Sequence, residues 1–141
     1  MCLIVGSFIK YNTAKGRRPR IAKEDIKVFK YLRVVRDYKN PKIEIYVAPF
    51  QHVEYKLNKK YSIARFGRTY TLDSYTNEVV FSINQGFHAY RNIPSMNSYS
   101  YSYLDTKVLF HAIIPKGSRY FISEHGAEIV ANQLIILNKV K

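Results

Sequence analysis

The chain has 141 residues, of which 47% are hydrophobic, so it can bury one globular core without metal or disulfide support. Its 23 Lys and Arg against 10 Asp and Glu give a net charge of +13, which favours polyanionic partners, either nucleic acid or an acidic host protein. A single cysteine excludes an intramolecular disulfide, and no apolar run approaches the roughly 18 residues of a membrane span. We expect one domain over 1–141, located in the cytoplasm of a host or bacterial cell.

The first elements of the chain are an apolar segment and a basic loop. Cys2–Ile9 is apolar and predicts a strand, whereas segment 10–20 is dense in cations and is broken by glycine and proline. We expect 10–20 to be an exposed loop that either grips phosphates or is simply solvated. With the lysine pair that precedes Tyr61, it supplies the predicted polyanion-binding residues: Lys15, Arg17, Arg18, Arg20, Lys59 and Lys60.

Ile26–Val35 is the strongest alternating segment of the chain, and period-2 alternation is typical of a strand with one solvated face. Lys27, Lys30 and Arg33 are expected on that solvated face. Because Tyr31 is expected in apolar surroundings, the pattern also predicts an irregularity near Lys30.

The later apolar runs are short, rich in β-branched residues or tyrosine, and bounded by turn residues, which again predicts strands. These runs are Ile43–Val47, Tyr61–Arg65, Thr69–Leu72, Val79–Ile83, Val108–Ile114 and Leu134–Leu137. Pro115–Ser118 predicts a turn.

Segment 95–103 could be a strand with its tyrosines on one face, but its position after Pro94 favours helical turns. The expected fold class is therefore α+β, with a mainly antiparallel, twisted β-sheet core and one or two short helices.

Motifs for catalysis or metal binding are scarce. There is no phosphate-binding glycine loop, no nucleophile elbow and no Cys/His cluster, so no metal site is expected. His88 follows a predicted turn at Asn84–Gly86 and is either a general base or a hydrogen-bonded structural histidine. Glu128 either stabilises a cationic transition state or is an ordinary loop charge.

The order of the segments IKVFKYLRVV, APFQHVEYKLNKKY, GFHAY, LFHAIIPKGSRYF and EIVANQLIIL resembles a family of small uncharacterised proteins from phages and gut bacteria. The resemblance covers most of residues 21–138. The same order is loosely similar to ADP-ribosyltransferase-like domains. This similarity implies a fold of that kind, NAD as cofactor, and a cleft lined by the catalytic residues Arg33, His88 and Glu128. The chain departs from the pattern at Gln133, where a catalytic glutamate is expected, because a neutral amide cannot stabilise an oxocarbenium-like centre.

Charge and resemblance together predict a basic binding module of phage or mobile-element type that uses no cofactor and docks on nucleic acid or an acidic host protein. Two alternatives stay open. The first is an NAD-dependent, ADP-ribosyltransferase-like enzyme, and the second is a virion-associated structural protein.

Overall fold

The computed structural model describes residues 3–8, 17–48, 53–94 and 107–141. These ranges contain thirteen β-strands and no helix, so the expected α+β class is wrong and the described chain is all-β. Short strands rich in β-branched residues and tyrosine, joined by tight turns, pair with one another at every step. The helical turns expected at 95–103 lie outside the described residues. No helix in the described ranges is long and apolar enough to cross a membrane.

The strands run in chain order as β1 (Leu3–Phe8), β2 (Arg20–Ile21), β3 (Ile26–Arg36), β4 (Glu44–Val47), β5 (Glu54–Tyr55), β6 (Lys60–Ser62), β7 (Gly67–Leu72), β8 (Val79–Gln85), β9 (Phe87–Tyr90), β10 (Lys107–Ile114), β11 (Arg119–Ile122), β12 (Glu128–Ala131) and β13 (Gln133–Lys139). Each strand predicted from alternation is present, with its ends shifted by up to three residues. The turn at Pro115–Ser118 is confirmed, with Gly117 at φ 88°. By contrast, Asn84 and Gln85 stay within β8 rather than forming a turn.

Two antiparallel sheets account for all thirteen strands. The larger sheet has the order β2-β11-β12-β9-β3-β10-β13-β6, with β4 joining β3 to β5. The smaller sheet has the order β1-β8-β7. Since β8 and β9 are separated only by Gly86, the chain passes directly from one sheet to the other at that residue.

β3 is the central strand of the larger sheet. One edge pairs with β10 in an unbroken register from Lys107 opposite Arg33 to Ile114 opposite Ile26. The other edge meets β9 at a single pair and then β4 over its last four residues. The unbroken register shows that the irregularity expected near Lys30 is wrong. Strict alternation therefore directs Lys30 toward the interior and Tyr31 toward the outer face.

The path β5-β4-β3-β10-β13-β6 curls around the main core, because residues 56–59 join its two ends. The N–H of Asn58, at φ 61°, donates to the carbonyl of Ile136 and ties this turn to β13. The largest side chains of the core are almost fully buried: Val28, Leu32, Tyr55, Phe110, Ile114, Ile129, Leu134 and Ile136. Burial of each large apolar side chain contributes roughly 1.5–3 kcal/mol, so this cluster is the main source of stability.

A second core lies between the two sheets. Phe121 and Val130 of the larger sheet pack against Phe81 and Ile83 of the smaller one. Gly86 lies at φ 153°, and a Cβ there would be 2.5 Å from a methyl carbon of Val130. Only glycine therefore lets the chain cross between the sheets so close to β12.

Ser118 suggests a direct stability test. Its side chain is wholly buried, and its Oγ has no hydrogen-bond partner in the described part of the chain. Because a buried, unpaired hydroxyl is destabilising, we expect Ser118→Ala to raise the free energy of unfolding by about 1 kcal/mol in a denaturant titration.

Ser123→Ala is the matched control for this substitution. The Ser123 Oγ accepts a hydrogen bond from the backbone N–H of Glu128 at 3.1 Å. Its loss should lower the free energy of unfolding by about 1 kcal/mol. A Ser118→Ala protein destabilised as much as Ser123→Ala would show that the Ser118 hydroxyl is satisfied in solution.

Candidate polyanion-binding site

Six of the nine arginines of the chain lie on segments that neighbour one another in the fold, and we call these residues the arginine cluster. Its members come from the segment before β2, from β2, from the β6–β7 connection, and from the strands β7 and β11. Pairing of β2 with β11 places Arg20 opposite Tyr120 and Ile21 opposite Arg119, so the side chains of Arg20 and Arg119 project from opposite faces of the sheet. The members of the cluster are Arg17, Arg18, Arg20, Arg65, Arg68 and Arg119.

Backbone carbonyls and phenylalanine rings hold two of these guanidinium groups. Arg68 donates to the carbonyl oxygen of Arg17 at 3.1 Å, and its guanidinium lies 5.6 Å from the centroid of the Phe121 ring. Arg119 donates to the carbonyl oxygen of Ala64 at 3.0 Å and lies 6.0 Å from the Phe66 ring. Because the two rings themselves pack edge to face at 5.2 Å, a single pair of phenylalanine rings supports both cations.

Asn132 joins the strands beneath Arg119. Its side-chain oxygen accepts from the N–H of Arg119 at 2.8 Å, its own N–H donates to the Arg119 carbonyl, and its carbonyl accepts from the N–H of Ile63. Asn132 therefore links β11, on one side, to the segment that follows β6, on the other. This bridging explains how Arg119 reaches across to Ala64.

Within the described residues, no ion pair joins a carboxylate to Arg18, Arg20, Arg65, Arg68 or Arg119. Glu44 forms ion pairs elsewhere, with Lys139 at 2.7 Å and with Arg36 at 3.4 Å. The hydrogen bond from Lys139, followed by the charges of Lys139 and Arg36, lowers the pKa of the Glu44 carboxyl. Asp73 directly follows β7 and Glu78 directly precedes β8. Both residues therefore lie at the end of this strand pair that is remote from Arg68.

The predicted polyanion-binding residues are only partly brought together. Arg17, Arg18 and Arg20 belong to the cluster, whereas Lys15 lies outside the described residues. Lys59 and Lys60 are exposed at the start of β6, and the Lys59 ammonium lies 5.3 Å from the Tyr61 ring centroid. Among the described residues, no contact joins these lysines to the arginines. Along β6, Lys60 is roughly 10 Å from Ile63, the residue that bonds to Asn132 beneath Arg119.

Sequence reasoning missed half of the cluster. Arg65 and Arg68 stand in the run ARFGR, and Arg119 follows the predicted turn at Pro115–Ser118. Arginines on either side of a Phe-Gly pair are the available signal for Arg65 and Arg68. Arg119 carries no local signal, because its position depends on the pairing of β11 with β2 and with Asn132.

The predicted catalytic residues lie on the outer face of the larger sheet but do not contact one another. Val130 is opposite His88 and Tyr90 is opposite Glu128, so His88 and Glu128 are offset by two residues on neighbouring strands. Arg33 lies four residues along β3 from its one contact with β9, which is roughly 13 Å. No hydrogen bond or ion pair joins the three within the described ranges, and their catalytic role stays a prediction.

The His88 ring contacts the backbone of the segment that leads into β9, where the chain passes between the sheets. Its Nδ1 is 3.1 Å from the carbonyl oxygen of Gly86, and its Nε2 is 3.2 Å from that of Ile83. Burial lowers the pKa of His88, and the Lys30 charge adds to this effect, although the two carbonyls act in the opposite direction. A neutral imidazole can donate to only one of these carbonyls. The geometry therefore fixes the ring across the β8–β9 crossing.

Gln133 is the first residue of β13, half-buried and opposite Ser62. Asn132 separates it from β12, the strand of Glu128. Gln133 is therefore still a neutral amide at the position where the transferase resemblance expects a catalytic glutamate.

Lys30 is a half-buried lysine whose side chain faces inward, which the sequence did not predict. Its Nζ donates to the His88 carbonyl oxygen at 2.5 Å and lies 5.9 Å from the centroid of the buried Tyr55 ring. The contact fills the gap where β9 and β3 diverge. Burial lowers the pKa of Lys30 from 10.5 to about 8.

No group of three or more His, Cys, Asp or Glu side chains that could hold a metal ion occurs in the described ranges. No protein-family model, curated protein or solved structure matches the chain. The resemblances to a phage family and to ADP-ribosyltransferase-like domains therefore stay predictions.

Lys30 predicts a specific pH dependence of stability. Because its folded-state pKa is lowered, the buried ammonium destabilises the fold fully below pH 8, and this penalty disappears between about pH 8 and 10.5. We expect the stability of the wild type relative to Lys30→Met to rise by roughly 3 kcal/mol from pH 7 to about pH 10.5 in urea titrations.

The same substitution at Lys27, an exposed lysine of the same strand, controls for the removal of one charge. Lys27→Met should show a much smaller change over this pH range. If the difference between wild type and Lys30→Met is the same at both ends of the range, Lys30 is not a desolvated cation.

Proposed function

We propose that this protein is a basic binding module that docks on the phosphate backbone of nucleic acid through its arginine cluster. The observation that carries the proposal is that six arginines lie on neighbouring segments, two of them fixed over phenylalanine rings, without a carboxylate partner for Arg68 or Arg119 among the described residues. The net charge of +13 adds long-range attraction to the same class of partner.

Arginine chemistry favours phosphate as the ligand. A planar guanidinium presents paired N–H donors that match a phosphate or carboxylate, and it keeps its charge at every relevant pH. Arg68 and Arg119 each use one nitrogen on a backbone carbonyl, so their remaining donors are available in a fixed orientation. Preorganisation of this kind lowers the entropy cost of binding.

Carboxylates of an acidic host protein are the other predicted ligand of this surface. Nucleic acid is favoured because its charges repeat at regular, short intervals, which suits six cations spread over several strands. A transferase function would require Arg33, His88 and Glu128 to meet, and nothing in the described geometry favours it. A virion-associated structural role also stays a prediction.

Salt-dependent binding tests the proposal. We expect a fluorescently labelled oligonucleotide to bind with an affinity that falls steeply between low and moderate salt. The triple variant Arg18→Gln/Arg20→Gln/Arg65→Gln removes exposed charges while leaving Arg68 and Arg119 in place. It should reduce the slope of log K against log salt by about 2, at roughly 0.7 for each lost contact to a single strand.

The matched control removes three exposed charges at the other end of β3, in Lys39→Gln/Lys42→Gln/Lys141→Gln. Equal losses in the two triple variants would show that net charge, and not the arginine cluster, determines binding. Polyglutamate serves as the competitor for the protein-partner alternative. If it displaces the oligonucleotide at equal charge concentration, the ligand class is acidic protein and not nucleic acid.

A further inference from the structure

The hairpin formed by β3 and β4 ends in an exposed turn, remote from the arginine cluster. The two strands pair to their ends, and just beyond them the N–H of Asp37 donates to the carbonyl of Ile43 at 3.0 Å. Residues 38–42 connect the strands, and the Asn40 carbonyl accepts from the N–H of Ile43 at 2.9 Å. These bonds give the turn a defined shape, and we call residues 35–43 the hairpin tip.

Three apolar or aromatic side chains of the hairpin tip face solvent. Tyr38 is 99% exposed, Ile43 is 49% exposed and Val35 is 40% exposed. Val35 and Ile43 share one face of the hairpin, because Val35 is opposite Ile45 and Ile43 is two residues from Ile45. The other face is the core side, on which Val34 packs against the main core. The fold therefore leaves apolar surface uncovered at the tip.

Lysines lie beside this apolar surface. Lys39 and Lys42 are both exposed between Tyr38 and Ile43. The carboxylates of the same segment are already engaged. Asp37 Oδ1 accepts from the backbone N–H of Lys39 at 2.9 Å, and the side chain of Glu44 binds two other cations. The hairpin tip therefore presents positive charge together with apolar side chains.

The hairpin of β7 and β8 provides a contrast within the same chain. It also carries exposed apolar and aromatic side chains, since Leu72 is 63% exposed and Tyr75 is 97% exposed. Its charged residues, however, are Asp73 and Glu78, so this second turn is acidic. An anionic partner should therefore distinguish the two hairpins.

We infer that the hairpin tip docks on an anionic lipid surface, where its apolar side chains enter the boundary of the acyl region and its lysines contact the headgroups. Tyr38 suits this boundary because its ring is apolar and its hydroxyl is polar. Lys39 and Lys42 can extend their ammonium groups toward lipid phosphates and carboxylates while their stems stay in apolar surroundings. The net charge of +13 adds long-range attraction. This inference goes beyond nucleic-acid binding and does not depend on the arginine cluster.

A bilayer fits the hairpin tip better than other partners do. The phosphate backbone of nucleic acid would bind the lysines but offers no apolar environment to Ile43 and Val35. An acidic protein would need an apolar groove shaped to enclose a projecting turn, whereas a fluid lipid surface admits such a turn at any position. A second copy of this chain is disfavoured because two chains of charge +13 repel each other.

The lack of tryptophan in the sequence allows a direct test. Tyr38→Trp places a single indole at the hairpin tip of the whole chain, and Tyr75→Trp places one in the acidic turn as the matched control. We would record emission and acrylamide quenching with vesicles of phosphatidylcholine, alone or with about one third phosphatidylserine. With phosphatidylserine we expect Tyr38→Trp to emit at shorter wavelength and to lose most of its quenching. Tyr75→Trp should change in neither respect.

Substitutions then separate the contribution of charge from that of apolar contact. Lys39→Gln/Lys42→Gln should weaken binding to phosphatidylserine vesicles at least about tenfold in co-sedimentation, because each lysine near an anionic surface is attracted to it. Tyr38→Ser/Ile43→Ser should weaken binding by about as much, because the turn loses the apolar area that enters the bilayer. All four side chains are exposed in the free protein, so the fold should be retained.

The matched control, Leu72→Ser/Tyr75→Ser, removes a similar pair of side chains from the acidic turn and should bind vesicles as the wild type does. Equal losses in this control and in Tyr38→Ser/Ile43→Ser would overturn the inference. Unchanged emission of Tyr38→Trp on phosphatidylserine vesicles would also overturn it, and so would a change caused by an oligonucleotide but not by vesicles.

Two further measurements separate this inference from the proposed function. Lys39→Gln/Lys42→Gln should keep the wild-type affinity for the oligonucleotide, so each proposal fails or holds by its own readout. The arginine variant Arg18→Gln/Arg20→Gln/Arg65→Gln should still shift the emission of Tyr38→Trp on phosphatidylserine vesicles. If the arginine variant loses vesicle binding and the lysine variant retains it, the arginine cluster binds the lipid and the inference is wrong.

Discussion

The division of β3 between three partners is the constraint on which the rest of the fold depends. One edge is fully paired with β10, while the other is shared between β9 and β4. A strand of eleven residues cannot follow two diverging neighbours unless the sheet bends away at the point of divergence. That bend encloses the main core on one face of the sheet. The ammonium of Lys30 lies in the resulting gap.

Two chain connections, one between the sheets and one within the larger sheet, are also fixed by specific contacts. Gly86 carries the chain from the smaller sheet into β9, and Asn132 carries it from β12 into β13. Both are stabilised by side-chain hydrogen bonds to backbone groups, from His88 in one case and from Asn132 itself in the other. The arginine cluster lies beside the second connection, so the contacts that fix the fold there also position Arg119.

Sequence patterns predicted the strands far better than the site. Alternation in segments such as Ile26–Val35 reflects the burial of every second side chain. This signal lies entirely within one segment, so it can be detected without knowing which strands that segment pairs with. It misplaced Lys30 because a lysine in an alternating strand is ordinarily on the solvated face. The arginine cluster was only half predicted, since the strands that carry Arg20 and Arg119 pair across almost a hundred residues. The α+β class is wrong because every element of the described residues is a strand, and the helix it required was inferred at 95–103 only from the position of that segment after Pro94.

The phenylalanine rings beneath the arginine cluster connect stability to binding. Phe121 is buried in the second core, and its ring contacts both Phe66 and Phe81 at 5.2 and 5.6 Å. A guanidinium over such a ring is weakly hydrated on one face and can form hydrogen bonds in its own plane. An ammonium at the same position would lose hydration without gaining a matching set of planar donors. Arginine, and not lysine, is therefore the cation that this pair of phenylalanine rings can hold in place while its charge remains directed toward a ligand.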